Sequence, residues 1–341
     1  MQKAILLGTD LHGDQSELAA KLVNDLRKEF DLRKINYKTL SIQNRKESRK
    51  EKNTLIVPRF TKLSPLRKII QAFLLPINLL FLRTKYKNII TFWTADQKYH
   101  SYLFAFLKKI GYVINFTVIS GYDKKYSALA YCDSIICQSE KMYNHLIKKF
   151  PSKNLRIIYP WANMSIFNPS KKEYDILIPS VPYKVRDFKE RGMEKIIELL
   201  KTGKFKSKVI FRSQESYDYF KNSGVRNTEL INKILGEKEL AKIMAKAKVI
   251  PLLYSKGCPD MPLSAIEGMA CGCAIITTSE TGLSEIIQKN KCGAIHKEGS
   301  NLLIDLKKVL SIKEFSLNAV KFSRNNFDKK KNVKEYVKLI E

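Results

Sequence analysis

Apolar and polar positions follow a repeating strand–helix order along the chain. Short apolar runs predict strands, and the stretches between them show the three- to four-residue apolar spacing of amphipathic helices. Strands that alternate with helices in this way predict parallel sheets covered by helices on both faces. In the first half the predicted strands are Ala4–Leu7, Thr54–Val57, Asn88–Phe92, Val113–Val118, Ser134–Gln138 and Leu155–Tyr159, and the predicted helices are Ser16–Phe30, Tyr99–Lys109 and Ser139–Phe150.

The same order resumes at Tyr174, after a segment with little periodicity. That segment, residues 159–174, holds two prolines and two asparagines and is the predicted linker between two α/β domains. With 341 residues, the chain is long enough for two domains that each bury a sizeable core. In the second half the predicted strands are Tyr174–Ile178, Lys208–Arg212, Thr228–Ile231, Val249–Leu253, Ala274–Thr277 and Gly293–His296.

One stretch, residues 259–278 ("PDMPLSAIEGMACGCAIITT"), predicts a short helix that leads into a buried strand. Pro262 suits the first helical position, and Gly272 suits the end of the helix. Glu267 lies among small residues that let the helix pack closely on the sheet. Because ligands of parallel sheets bind beyond the carboxyl ends of the strands, this acid faces either solvent or a ligand.

The formal net charge of +29 is the most unusual global property of the chain. Residues 51–125 carry 13 basic side chains against 3 acidic ones. A field of this sign favours a polyanionic partner, namely nucleic acid, an acidic membrane surface or a phosphorylated substrate. A compositional bias toward Lys, Ile and Asn also accounts for the charge of the whole chain, so both explanations stay open.

The six cysteines lack the paired spacing of a structural zinc site. The first residues, "MQKAILLGTD", contain too short an apolar run for a secretory signal and suit a first strand better. Together these features predict reduced, partly buried thiols in a cytoplasmic protein.

A mostly apolar run, Ile69–Leu82, interrupts the strand–helix order and is flanked by basic residues. It is shorter than the roughly 20 residues that cross a bilayer, and polar residues and a proline interrupt it. One interpretation is a helix that lies in an anionic membrane interface. The alternative is a proline-kinked helix in the core of the first domain. Under the first interpretation the membrane contacts are Arg67, Lys68, Phe73, Leu74, Phe81 and Arg83.

Two loops after predicted strands have the residues to hold an anion. The first, "GTDLHGDQSE", offers Gly8 and Gly13 for close backbone approach, although it matches neither G-x-G-x-x-G nor a P-loop and is equally compatible with a simple turn. The second, "VPYKVRDFKERG", carries Arg186 and Arg191, which suit a diphosphate. A solvated loop in which these arginines pair with neighbouring acids is the alternative.

The stretch "PLSAIEGMACGCAIITTSETGLSEII" resembles the donor-site signature of GT4-type glycosyltransferases, the glycosyl transferases group 1. The segments "INKILGEKELAKIMAKAKVI", "LAYCDSIICQSEKMYNHLIKKF", "NLRIIYPWANMSIFNPS" and "FSRNNFDKKKNVKEYVKLIE" resemble further parts of that family, so the resemblance covers nearly all of the chain. It implies a GT-B fold, in which the parallel sheets of two Rossmann-like domains face a cleft. The expected parts are an acceptor domain (1–165), a donor domain (166–323) and a C-terminal helix (324–341) that returns to the first domain.

The resemblance implies retaining transfer of a sugar from a nucleotide-diphosphate sugar. Basic residues and helix N-termini replace a metal ion in such enzymes, and the chain contains no D-x-D. By position, Glu267 would bind the ribose, Arg186 and Arg191 would hold the phosphates, and Leu263 and Ser264 would offer backbone N–H groups. The remaining positions assigned to the donor are Gly13, Gly236, Asp260 and Met261.

Two positions depart from the pattern of the family. Its first donor-site acid falls on Pro259, with Asp260 one residue late, so either Asp260 contacts the sugar from a reshaped loop or the donor has another hydroxyl pattern. In the first domain, Ser120 stands where a sugar-contacting histidine is common. Asp123 or Tyr122 is then expected to take the polar role.

The sequence therefore predicts a glycosyltransferase that needs no metal or other cofactor. Its expected acceptor is lipid-linked or a glycan, and its expected location is the inner face of the cytoplasmic membrane. The alternatives are a protein that binds or glycosylates nucleic acid, a GT-B epimerase or hydrolase of nucleotide sugars, and a transferase fold that has lost catalysis.

Overall fold

The structure, a computed structural model, describes residues 3–9, 18–43, 53–58, 65–93, 98–119, 126–255 and 258–341. Its strands form two sheets, and every pair of neighbouring strands is parallel. Helices connect the strands, as βαβ units require. The predicted α/β class with two parallel sheets is confirmed.

The first sheet has seven strands in the order β3-β2-β1-β4-β5-β6-β7. These are β1 (Lys3–Thr9), β2 (Asn36–Gln43), β3 (Thr54–Pro58), β4 (Asn88–Trp93), β5 (Val113–Val118), β6 (Ser134–Cys137) and β7 (Asn154–Ile157). The helices between them are α1 (Leu18–Leu32), α2 (Pro65–Leu82), α3 (Lys98–Lys109) and α4 (Glu140–Ile147). Ser139, which precedes α4, accepts a hydrogen bond from Met142 N–H at 3.0 Å and so caps that helix.

The second sheet has six strands in the order β10-β9-β8-β11-β12-β13. These are β8 (Tyr174–Ile178), β9 (Ser207–Phe211), β10 (Thr228–Asn232), β11 (Ala247–Leu252), β12 (Ala274–Thr277) and β13 (Gly293–Ile295). The helices are α5 (Met193–Lys201), α6 (Gln214–Asn222), α7 (Glu237–Ala245), α8 (Leu263–Ala270), α9 (Leu283–Lys289), α10 (Leu302–Ser311), α11 (Glu314–Asn326) and α12 (Lys329–Val337). All four residues of β12 are buried, which is typical of a strand covered on both faces.

The chain forms two compact units. The first runs to Ile158 and also takes in Lys330–Glu341, and the second is Tyr159–Lys329. The boundaries thus lie at 158/159 and 329/330, against predicted boundaries at 165/166 and 323/324. The predicted linker is part of the second unit, because Trp161, Ala162 and Phe167 are buried and Ala162 N–H donates to Phe327 O at 3.0 Å.

The last twelve residues return to the first unit. Tyr336 of α12 is fully buried there and stacks on Phe92 of β4 with ring centroids 5.5 Å apart. Its hydroxyl and Thr117 Oγ1 of β5 lie 3.1 Å apart in a hydrogen bond. Burial raises the pKa of the Tyr336 hydroxyl, so the group stays neutral and keeps this bond.

Helix α2 has side chains in both a buried and an exposed environment. Leu75 and Leu79 are buried in the core of the first unit, whereas Ile77, Leu80 and Phe81 are 47%, 50% and 76% exposed. The helix therefore has one face in the core and one apolar face at the surface. Among the described residues, no helix is long and apolar enough to cross a membrane.

The residues proposed for membrane contact have different placements. Phe81 is exposed, while Leu74 is half-buried against the core of the first unit. Arg83 is directed inward, because its Nε donates to Ile110 O at 2.9 Å and its guanidinium lies 5.6 Å from the Tyr112 ring centroid. The side chain is half-buried, and its predicted membrane contact stays a prediction. The remaining three side chains lie outside the described part of the structure, namely those of Arg67, Lys68 and Phe73.

Candidate functional site

The polar residues predicted to bind the donor lie in segments that follow strands of the second sheet, at its carboxyl edge. Residues 181–192 follow β8, residues 253–262 follow β11, and α8 begins directly after the second of these segments. Because β8 and β11 are neighbours in the sheet, the two segments leave it side by side. In open parallel sheets, this edge is where ligands bind.

Helix α8 begins with backbone donors that are free to bind a ligand. Pro262 precedes the helix with φ −63° and ψ 133°, and no side chain caps this end. Ala265 N–H and Ile266 N–H donate to Pro262 O, but within the described residues neither Leu263 N–H nor Ser264 N–H has an acceptor. An uncapped helix N-terminus of this kind attracts anions. Helix α8 thus starts one residue later than predicted, and the two predicted donors are available.

Small residues let α8 pack directly on the sheet, as predicted. A Cβ at Gly268 would collide with Ile250 Cδ1 of β11. Gly272 has a φ of +74°, the left-handed conformation that ends a helix and favours glycine. The close approach places the first turn of α8 over the end of β11.

Glu267 is buried, with 5% of its surface exposed. It lies four residues from both Leu263 and Cys271, so the three residues share one face of α8. Cys271 Sγ donates to Ala241 O of α7 at 3.9 Å, which directs this face toward α7. Burial raises the pKa of the Cys271 thiol, and the nearby Cys273 and Glu267 raise it further. The acid therefore lies on the face of α8 that is directed toward α7.

The two predicted phosphate ligands differ in their surroundings. Arg186 lies in a short 3₁₀ turn, Val185–Asp187, and its side chain is 76% exposed. Its Nε is 3.6 Å from Asp187 Oδ1, an exposed contact of little energetic value. Arg191 ends a second 3₁₀ turn, Lys189–Arg191, and its guanidinium lies 4.4 Å from the centroid of the Tyr254 ring.

Asp260 has a structural role that sequence reasoning missed. Its side chain is fully buried, and its Oδ1 accepts a hydrogen bond from Gly282 N–H at 2.6 Å. Leu283 N–H donates to its backbone carbonyl at 3.3 Å. Asp260 thereby binds the N-terminus of α9, and its predicted sugar contact stays a prediction.

The other predicted site residues are placed as follows. Met261 is fully buried in the core of the second unit, so only its backbone could reach a ligand. Gly236 is exposed at the N-terminus of α7 with φ −69°, and a Cβ there would meet nothing within 4 Å. Gly13, Ser120 and Asp123 lie outside the described residues.

Known proteins match part of the chain by sequence. Residues 164–309 match the family model described as glycosyl transferases group 1. An uncharacterized glycosyltransferase of Methanocaldococcus jannaschii is 28% identical over 160 residues, which are 46% of this chain and 42% of that protein. The match therefore spans less than half the length of this relative.

Solved structures match the whole chain by fold. Sucrose-phosphate synthase from Thermosynechococcus elongatus has a TM-score of 0.78 at 13% identity, covering 99% of this chain and 98% of that one. Anabaena HepE in complex with UDP and glucose has a TM-score of 0.69 at 11% identity, covering 99% of both chains. The chain therefore has the GT-B fold of glycosyltransferases, and its second unit carries the match to glycosyl transferases group 1 that the sequence resemblance predicted.

Proposed function

We propose that this protein is a retaining glycosyltransferase that takes its sugar from a nucleotide-diphosphate sugar. The observation that carries the proposal is that two arginines follow β8, and an uncapped helix with a buried glutamate follows the neighbouring strand β11, at the carboxyl edge of the second sheet. The arginines and the helix N–H groups suit a diphosphate, and the carboxylate suits the hydroxyls of a ribose. HepE has a similar fold, and its crystal structure is a complex with UDP and glucose, which supports a nucleotide-sugar donor here.

The residues divide the donor between them. Arg186, Arg191 and the N–H groups of Leu263 and Ser264 bind the diphosphate, with no metal ion required in this scheme. Glu267 accepts hydrogen bonds from the ribose hydroxyls. Gly236 and the backbone of Met261 complete the donor surface, and Asp260 is assigned to the sugar by position alone.

The chemistry follows from charge. As the bond between sugar and diphosphate breaks, negative charge grows on the departing phosphate, where the arginines and helix N–H groups stabilise it. The acceptor hydroxyl then attacks from the face that the phosphate leaves and gives its proton to that phosphate, so the anomeric configuration is retained. Positioning and electrostatics supply the rate, without a protein nucleophile. Gly13, Ser120 and Asp123 are the corresponding predictions for the first unit.

The donor assignment is tested by binding and by turnover. Thermal-shift assays with UDP, GDP, ADP and their sugars identify the nucleotide, since a ligand that binds only the folded state raises the melting temperature. Arg191→Ala and Glu267→Ala are each expected to lower the affinity for that ligand at least about tenfold, because each removes charge-assisted hydrogen bonds. The melting temperature of the unliganded protein is expected to stay unchanged. Glu267→Gln retains the shape and serves as a milder variant.

An unchanged rate of sugar transfer in both Arg191→Ala and Glu267→Ala would contradict the assignment of the donor site. Chromatography that separates free sugar from transferred sugar distinguishes a transferase from a hydrolase, and a changed sugar on the nucleotide would indicate an epimerase. If neither these nucleotides nor their sugars shift the melting temperature of protein that melts cooperatively, the proposal as a whole is contradicted.

We further propose that the acceptor is membrane-associated and that the protein works at the inner face of the cytoplasmic membrane. The exposed apolar face of α2, formed by Ile77, Leu80 and Phe81, supports this part. Lys85 and Lys87 follow the helix and are exposed, so apolar and basic groups lie together as an anionic interface requires.

Flotation with vesicles of mixed phosphatidylglycerol and phosphatidylcholine tests the membrane contact. The native protein is expected to float with these vesicles, less so at high salt, and not with phosphatidylcholine alone. The α2 surface variant, Ile77→Gln with Leu80→Gln and Phe81→Gln, is expected to stay at the bottom of the gradient. Ile304→Gln with Leu317→Gln, which changes two exposed apolar residues of the second unit, is the matched control and is expected to float.

Flotation of the α2 surface variant at the native level would exclude this face as the contact. If the native protein does not bind vesicles but binds duplex DNA or RNA with a steep salt dependence, the membrane hypothesis is wrong and the nucleic-acid alternative is supported. A concentration-dependent dimer that the α2 surface variant abolishes would instead assign the face to a second copy of the chain.

A further inference from the structure

The turn that ends at Arg191 is fixed to the segment that follows β11. Ser255 N–H donates to Glu190 O at 2.9 Å, and Cys258 Sγ donates to the same carbonyl at 3.3 Å. Two donors from one segment therefore converge on the residue before Arg191. The pKa of the Cys258 thiol is raised by burial, with the nearby Arg191 guanidinium opposing the shift, so the thiol keeps the proton that it donates.

Gly192 brings the two segments into direct backbone contact. Its φ of +62° is left-handed, and a Cβ at this position would lie 2.8 Å from Leu253 O and would collide with Leu253 Cβ. Only glycine tolerates both the conformation and the approach. The backbone on either side of Arg191 is thus held in place.

The side chain of Arg191 is held as well. Its guanidinium lies over the Tyr254 ring, 4.4 Å from the centroid. Tyr254 is itself buried, with 4% of its surface exposed, and its carbonyl accepts a hydrogen bond from Thr278 Oγ1 beside the end of β12. The ring is therefore an immobile platform beneath the cation.

Arg186, five residues earlier in the same loop, provides the contrast. Its side chain is 76% exposed, and its Nε lies 3.6 Å from Oδ1 of its neighbour Asp187. Ordering such a side chain on a ligand costs rotamer entropy, whereas Arg191 has lost much of that freedom before any ligand arrives.

We propose that Tyr254 is a positioning residue that pre-orders the Arg191 guanidinium for the diphosphate of the donor. This inference rests on the proposed function, because it takes Arg191 as a phosphate ligand. A planar guanidinium stacks through its face and binds phosphate through its N–H edge, so the two contacts are compatible. Tyr254 thus raises donor affinity without touching the donor.

A double-mutant cycle between Tyr254 and Arg191 tests the inference. Calorimetric titration with UDP, GDP and ADP measures affinity in the native protein, in Tyr254→Leu, in Arg191→Ala and in the double variant. Loss of the stacking in Tyr254→Leu is expected to lower the affinity for the tightest-binding of the three nucleotides about fivefold. The double variant is expected to match Arg191→Ala alone, since Tyr254 acts only through that arginine.

Two further variants separate positioning from general structural damage. Tyr254→Phe keeps the ring and is expected to bind within about twofold of the native protein, because the quadrupole of the ring is retained. Tyr219→Leu is the matched control: Tyr219 packs edge-on against Phe188 of the same loop, with centroids 5.3 Å apart. It removes a tyrosine that supports the loop from the α6 side, and is expected to leave nucleotide affinity unchanged.

The outcomes distinguish the inference from the function on which it rests. If Arg191→Ala leaves the affinity for all three nucleotides unchanged, the phosphate role of Arg191 fails, and the inference fails with it. If Arg191→Ala weakens binding but Tyr254→Leu does not, the inference alone is overturned. An effect of Tyr254→Leu that persists undiminished in the Arg191→Ala background would likewise show a structural role and not a positioning one.

Discussion

Helices α2 and α8 are both rich in apolar residues, yet they occupy opposite environments. In α8 every residue except Ser264 is buried, including the acid Glu267. In α2 the described side chains divide between a buried face with Leu79 and an exposed face with Phe81. Apolar composition therefore specifies which residues prefer burial, but not whether the fold provides a second surface to cover them.

The number of neighbours explains the difference. Helix α8 lies against β11 and β12 and contacts both α7 and α11, so it is enclosed on several sides. For α2, the larger contacts within the described residues are with α3 and β3. A helix covered on one side keeps an apolar stripe in contact with solvent, and such a stripe is typical of an interaction surface.

The largest expected effect separates the two faces of α2. Leu79→Ala is expected to lower the free energy of unfolding by about 3 kcal/mol, because it leaves a cavity in the core of the first unit. Leu80→Ala, on the exposed face, is expected to cost less than about 0.5 kcal/mol. Urea denaturation measures both, and equal losses would contradict the two-faced description of the helix.

The next effect concerns the packing of α8. Gly268→Val is expected to cost about 2 kcal/mol, because the added side chain meets Ile250 and forces α8 away from the sheet. Gly236→Ala is the control, since a Cβ at that exposed position meets nothing within 4 Å and its φ is ordinary. Equal melting temperatures for the native protein and Gly268→Val would show that α8 is not in close contact with β11.

The segment that leads into α8 gives an intermediate effect. Asp260→Ala is expected to cost about 1 kcal/mol of unfolding free energy, because Gly282 N–H at the N-terminus of α9 loses its acceptor. Asp260→Asn keeps an acceptor oxygen and is expected to recover most of the loss. If Asn restores stability but not donor binding, the carboxylate has the sugar contact predicted for it as well.

The smallest effect on stability is expected from the α2 surface variant. Replacing Ile77, Leu80 and Phe81 by Gln keeps good helix formers at exposed positions, so the free energy of unfolding is expected to change by less than about 1 kcal/mol. If urea denaturation shows that the free energy of unfolding falls by several kcal/mol, this face is buried and is not a membrane contact.

Strand positions follow closely from the sequence, with one instructive exception. The strands starting at Val113, Tyr174 and Ala274 match their predicted bounds, because apolar runs in parallel sheets are buried on both faces. Strand β2 was not predicted. Its buried positions include Thr39 and Ser41, so the apolar pattern that identifies a strand is absent although the backbone pairs on both sides.

The candidate site shows the same limit. Glu267, Arg186 and Arg191 are visible in the sequence because each lies in a local pattern of recognisable residues. Tyr254 is 63 positions from Arg191, and the contact between them depends on β8 and β11 being neighbours in the sheet. The internal role of Asp260 depends likewise on the backbone of a distant helix, which no local pattern reveals.

The return of Lys330–Glu341 to the first unit imposes an order on the synthesis of the protein. The second unit is continuous in sequence and can close its core once residue 329 has been made. The first unit, although it is made earlier, lacks the contacts of Tyr336 with β4 and β5 until residues 330–341 have been made. The first unit therefore completes its core after the second unit has been made, and until then the surface around Phe92 and Thr117 stays uncovered and open to misfolding and to chaperones.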